Sequence, residues 1–227
     1  MNRELLRKEL RDIWPLGLLA LLAAAAVAMS DAELYPLADP WRTAHATNPG
    51  GRLIPLISEP SRMVFGMVSA AAGVILGLWQ TWSETIRGTW GYLLHRPISR
   101  RSIIGHKLAT GLGVLLLAMG LPMAVLFWWA LSPGHHVMGL EWRMGADIRA
   151  AAFAGTVAYL SAFLSGIRSA RWYGSRYLVL GLGAVLVFFT WPLGSLWGWA
   201  GWLTLGIDGL LVTAILQAAE ERNFSDS

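Results

Sequence analysis

The sequence predicts an all-α integral membrane protein: a single transmembrane domain over residues 1–227, with six transmembrane helices. Three observations carry this reading. Of 227 residues, 55% are hydrophobic and only 14% charged, with a mean hydropathy of +0.49. The charges cluster between long apolar runs, and about 18–20 apolar residues suffice to cross the bilayer core. Thirteen tryptophans suit a chain with many membrane–water boundaries, where the ring is buried and its N–H stays hydrated. The absence of cysteine excludes disulfides, thiolate metal sites and a cysteine nucleophile. The pI near 9.8 does not indicate a nucleic-acid partner, because the basic residues fall between spans and not on one soluble face.

The chain opens with a charged segment, residues 1–12. Leu6, Leu10 and Ile13 share one side at helical spacing, and Glu4 and Lys8 form a favourable i,i+4 pair. An interfacial helix is expected here. Glu4, Glu9 and Asp12 argue against a signal peptide. The first span, 13–30, has 18 residues without a charge, and Pro15 is tolerated in its first turn. Residues 31–62 carry five of the ten prolines and the pair Gly50-Gly51, which makes them an extracytoplasmic loop, with a short surface helix expected around Leu53–Ile57. In the second span, 63–83, Gly66, Ala70, Gly73 and Gly77 form a smooth face for close helix approach, toward either a second chain or a neighbouring helix.

Residues 84–107 form a polar, basic island with Arg87, Arg96, Arg100, Arg101 and Lys107 against Glu84. Such a Lys/Arg excess marks a cytoplasmic loop. Trp90, Leu93 and Leu94 give it an apolar stripe and Pro97 stops the helix. A short amphipathic helix is expected, able to lie in the interface or to dock onto a soluble partner. The third span, 108–131, contains Pro122 and ends on Trp128-Trp129. His135-His136 follows in a short loop; adjacent histidines point to different sides, so a metal site is not expected. The fourth span, 150–167, offers Thr156, Ser161 and Ser165 for interhelical hydrogen bonds. The 31 uncharged residues from Tyr177 to Ile207 exceed one crossing, so they divide at Trp191–Gly198 into spans at about 172–191 and 197–217. The tail from Ala218 is short and polar.

With both termini inside, the cytoplasmic side holds thirteen Lys and Arg and the outer side five, as the positive-inside rule requires. Asp208, between Gly206 and Gly209, is the one acid well inside a span. An intramembrane carboxylate marks a pathway, a relay or a structural hydrogen bond to a neighbouring helix.

The run Glu84-x-x-x-Gly88-Thr89, then Leu93-Leu94-x-Arg96-Pro97-x-Ser99-Arg100, with Lys107 heading the next apolar run, resembles the cytoplasmic loop of ATP-binding-cassette (ABC) type-2 transporter permeases. The resemblance is sharpest over these two dozen positions and extends to the span pattern. It implies that residues 1–12 are the elbow helix before the first span, and that the loop holds a coupling helix seated on a separate ATPase. The short Trp191–Gly198 connection leaves little room for the family's re-entrant helices. The implied assembly has two permease chains, identical or different, and two ATPase chains that bind ATP and Mg; this chain would carry no cofactor. Trp90, Leu93 and Leu94 would dock on the ATPase, while Arg96 and Arg100 would pair with its acids or with lipid phosphate. Glu84 and Thr89 would cap the loop, with Arg87, Gly88, Pro97 and Ser99 completing it. The implied location is the bacterial plasma membrane.

Catalysis by this chain is not expected. It has no Gly-x-x-x-x-Gly-Lys-Ser/Thr and no His-Glu-x-x-His, and Leu164-Ser165-Gly166 lacks a glycine at Ala162 for a rhomboid-like serine turn. Glu220-Glu221 lies at the tail without the residues a membrane-embedded protease needs. The competing functions are a non-transporting scaffold that recruits a soluble partner, and a proton-coupled carrier built on Asp208.

Overall fold

A computed structural model describes residues 3–31, 59–88, 99–132, 146–168, 173–193 and 199–221. These form six α-helices: α1 (Arg3–Asp31), α2 (Glu59–Ile86), α3 (Arg100–Leu131), α4 (Ala146–Ile167), α5 (Tyr173–Leu193) and α6 (Trp199–Glu221). No strand occurs among the described residues. Four helices (α1, α2, α3 and α6) contain stretches long and apolar enough to cross a membrane, while α4 and α5 carry shorter apolar stretches, Ala152–Ile167 and Tyr177–Val187.

The helices alternate in direction. Side chains near the start of α1, the end of α2 and the start of α3 meet at one end of the bundle, and Arg101 at the start of α3 pairs with Glu220 at the end of α6. The first and last helices therefore have their terminal ends on the same side. At the centre stands α4, whose residues 154–167 are all buried, packed by α2, α5 and α6. A membrane helix hydrophobic on all sides is expected there, since protein surrounds it. Residues facing outward are large and apolar, among them Leu19, Leu117, Trp128, Trp202 and Leu210. That inversion suits a bundle whose solvent is lipid.

Two expected boundaries shift. Residues 3–12 are continuous with the first span: α1 runs unbroken from Arg3 through Asp12 into the apolar segment. Its inward face is Leu5, Glu9, Ile13, Gly17, Ala20, Ala24 and Ala28, while Leu10 is half exposed. The expected stripe of Leu6, Leu10 and Ile13 is displaced by one residue because Glu9 turns inward to a charge partner. The polar island also shrinks. α2 continues to Ile86 and α3 begins at Arg100, so both helices extend past their apolar stretches by pairing their charges with each other. The expected helix around Leu53–Ile57, the His135-His136 pair, the turn over 194–198 and the tail beyond 221 lie outside the described residues.

Along the second span, the small residues meet α4 in parallel. A Cβ on Gly73 would fall 2.3 Å from the carbonyl oxygen of Gly155, and one on Gly77 would fall 2.5 Å from that of Tyr159. Neither position accepts a side chain without the two backbones separating. Ser69 seals the same seam by donating to the Ala152 carbonyl at 3.1 Å. Gly66 is buried, and Ala70 packs against the small cluster of Ala154, Val157, Ala158 and Val187. The contact at Gly73 and Gly77 is thus within the chain.

Candidate functional site: the charged end of α1, α2 and α3

Where the loop between α2 and α3 joins the bundle, four charged side chains from three helices converge. Lys107 of α3 is 1% exposed and donates to Glu9 Oε1 of α1 at 2.7 Å and to Glu84 Oε1 of α2 at 2.9 Å. Lys8, one residue before Glu9, also donates to Glu84 Oε1, at 2.8 Å. Two carboxylates and two ammonium groups balance. One turn further along α1 and close by on α2, Asp12 pairs with Arg87 at 3.3 Å nearer the surface. Lys107, Glu9 and Glu84 are buried and Lys8 is 31% exposed; burying charges is costly, and the cost is met only when geometry is good and each charge has partners. Once formed, such a set resists the removal of any one member.

Below the charges lies a neutral polar layer. Gln80 of α2 donates to the Lys107 carbonyl at 3.2 Å and accepts from the Tyr159 hydroxyl of α4 at 2.5 Å. Tyr159 is fully buried, and the absence of a side chain at Gly111 lets its hydroxyl reach this position: a Cβ there would lie 2.1 Å from Tyr159 Oη. Four helices are thereby joined around Lys107.

The loop's two anchors follow local chemistry. α2 ends at Ile86 and is followed by a turn to Gly88, which takes the left-handed conformation, φ +63°, with its N–H donating to the Thr85 carbonyl; a glycine meets this requirement without strain. α3 begins at Ser99, whose hydroxyl accepts from the Ser102 N–H as an N-cap. Glu84 has a different role from the expected cap. It sits in the last turn of α2, where the open backbone groups are carbonyls and offer a carboxylate no N–H, and its carboxylate is held by Lys8 and Lys107. Arg100 is exposed at the loop's exit. Thr89, Trp90, Leu93, Leu94, Arg96 and Pro97 lie outside the described residues.

A second polar point lies halfway along the bundle, away from this end. Thr156 Oγ1 of α4 is 2.6 Å from Asp208 Oδ2 of α6 and 2.7 Å from the carbonyl oxygen of Phe153. Asp208 Oδ1 is buried with no hydrogen-bond partner. Between α1 and α3, toward the opposite end from the charges, is an apolar cavity of about 350 Å³ bordered by Leu21, Ala25, Met29, Pro122, Val125 and Trp129 among others. Among the described residues, no three His, Cys, Asp or Glu side chains are grouped to hold a metal ion.

Glu9, Lys8, Asp12, Gln80 and Tyr159 were not marked by the sequence reading as site residues. Two of them carry a usable signal: Glu9 continues the inward spacing Leu5–Glu9–Ile13, and Gln80 is a side-chain amide in an otherwise apolar run. Comparison with protein-family models, with curated proteins and with solved structures gave no match to this chain.

Proposed function

We propose that this chain is the membrane-spanning subunit of an ABC exporter of the type-2 class, with six crossings and both termini on the cytoplasmic side of a bacterial plasma membrane. One observation supports this above the others. The two helices that carry the loop, α2 and α3, are tied to each other and to α1 by Lys107, Glu84 and Glu9, in the last turn of α2 and about two turns into α3. A push on that loop cannot be absorbed by the helix ends sliding apart, because separation would strand buried charges. It moves α1, α2 and α3 together. A loop that only connected two spans would not need such an anchorage, whereas a loop that receives force does.

On this reading, a separate ATPase that binds ATP and Mg presses on the segment containing Trp90, Leu93 and Leu94, and Arg96 and Arg100 contribute charge pairs or lipid-phosphate contacts. A second permease chain completes the assembly. α4, bound to α2 through the glycine seam, follows the movement, and the path opens against α5 and α6. The apolar cavity between α1 and α3 is near the lower end of the size range of ligand pockets and suits an apolar portion of a substrate.

The deciding experiment is affinity isolation of the detergent-solubilised full chain from its host, with the co-purifying proteins identified. Recovery of an ATPase containing a phosphate-loop motif, and its loss when Leu93 and Leu94 are both changed to Asp, is the expected result. Isolation of the folded chain with no such ATPase would refute the exporter reading.

A further inference from the structure

We propose that Asp208 is carried as the neutral acid, making the α4–α6 contact a proton-binding site in the middle of the bundle. The argument is a count of hydrogens and does not rest on the exporter reading. A threonine hydroxyl has one hydrogen to donate. Thr156 Oγ1 has two short contacts, with Asp208 Oδ2 at 2.6 Å and with the Phe153 carbonyl at 2.7 Å. Both are full-strength distances, and one hydrogen cannot make two such bonds. The Phe153 carbonyl has no hydrogen of its own. Bonding back to the carbonyl three residues earlier is also the local habit of a helical threonine. The second hydrogen must then sit on Asp208 Oδ2, which gives a directed chain: Asp208 O–H to Thr156 Oγ, and Thr156 O–H to the Phe153 carbonyl.

The bare oxygen agrees with this. Oδ1 is buried and unpartnered. In a carboxylate it would hold half of an uncompensated charge, which is prohibitive in an apolar interior; in the acid it is an ordinary carbonyl oxygen, and leaving it unpaired costs far less. Among the described residues, the charged positions of the helices packed around it lie toward the helix ends. On α4 the charged positions Asp147, Arg149 and Arg168 are at least seven residues from Thr156, roughly 10 Å along the axis, and the Tyr159 hydroxyl is committed to Gln80. α5 offers Tyr173, Arg176 and Tyr177, all near its start; α3 has Arg100, Arg101, His106 and Lys107, all before its apolar stretch; residues 63–83 of α2 have no titratable group. On α6 itself, Glu220 and Glu221 are three turns away.

The ligand is a proton, and its release is linked to shape. Any movement that parts α4 from α6 breaks the contact with Thr156 and admits water, which solvates the anion and takes the proton; closure requires its return. One proton is therefore exchanged each time this contact opens.

Infrared spectroscopy of the full chain in lipid at neutral pH tests the proposal. The wild-type minus D208N difference should contain the carbonyl stretch of a protonated carboxyl group, displaced to lower frequency in heavy water. T156V should keep that band but raise its frequency, because the O–H loses its acceptor. D208N should unfold at the wild-type midpoint, since the amide N–H replaces the acid O–H as donor to Thr156. Carboxylate stretches in the D208N difference, or no band shift in T156V, would overturn the assignment.

Discussion

Lys107 and Asp208 are buried in the same bundle under opposite conditions. Lys107 sits where three helices bring two carboxylates and a second ammonium group within direct reach. Asp208 faces one hydroxyl, and its other oxygen has no hydrogen-bond partner among the described residues. The difference teaches how this chain handles charge. At the polar end it is kept and matched, so the pairs act as fasteners; halfway along it is neutralised, so the group becomes a switch. Both sites reach α4, through Tyr159 and Thr156, which lie one turn apart. The comparison can be broken at four places.

The largest effect is expected from Lys107→Met. It takes the Lys107 ammonium group from buried Glu9 and leaves Glu84 with Lys8, and breaking a buried pair by removing one partner costs about 3–5 kcal/mol. The triple variant K107M/E9Q/E84Q, which removes the three buried charges together and leaves Lys8, 31% exposed, to solvent, should recover most of that. Chemical unfolding in detergent measures both. A K107M midpoint equal to wild type would mean the charges are solvated and fasten nothing. D208N, with no charge to strand, is the contrasting case.

Next is Gly73→Leu. Its Cβ would fall 2.3 Å from the Gly155 carbonyl oxygen and 2.9 Å from the Tyr159 nitrogen, both backbone atoms that cannot turn aside. A loss of about 3 kcal/mol, the top of the usual range for overpacking, should appear in the same unfolding measurement. Because the seam positions α4, the infrared band assigned to Asp208 should shift as well. A stability loss with an unmoved band would show that α4 keeps its place against α6 independently of α2.

Gln80→Leu separates the neutral layer from the charges above it. The Tyr159 hydroxyl and the Lys107 carbonyl lose their shared partner and are left with their own longer contact at 3.5 Å, at a cost of about 1–3 kcal/mol for weakened bonding of buried groups. Stability near that of wild type would mean that water replaces the amide and that the polar end is open to solvent.

The sequence made the helices legible and the fasteners largely illegible. Apolar runs located all six helices to within a few residues of their middles, but hydropathy marks where charges begin, not where a helix stops. Glu84 and Lys107 therefore seemed to bound a loop when both are helical. The inward turn of Glu9 is hidden for the same reason: Glu9 is a surface residue by composition, and only the approach of Lys107, 98 positions away, turns it inward. No local pattern encodes that pairing. Asp208 was conspicuous in the sequence because it is alone; that its partner is Thr156, 52 positions earlier, required the fold. The seam at Gly73 and Gly77 was visible as a surface for close approach, but not what it approaches.

The smallest effect is expected from Arg101→Ala. Arg101 and Glu220 join the start of α3 to the end of α6 with the same chemistry as Lys107 and Glu84, but both side chains are open to solvent, about two-thirds exposed for the arginine and nearly half for the acid. Water already solvates each ion, so the pair gains little from contact and salt screens what remains. The unfolding midpoint should therefore match wild type at moderate salt, where the Lys107 variant is strongly destabilised. A shift in Arg101→Ala that approaches that of Lys107→Met, and persists at high salt, would mean that burial is not what distinguishes the two pairs. The fastening at the polar end would then extend to α6, and a push on the loop would move Asp208 with α1, α2 and α3 instead of parting α4 from it.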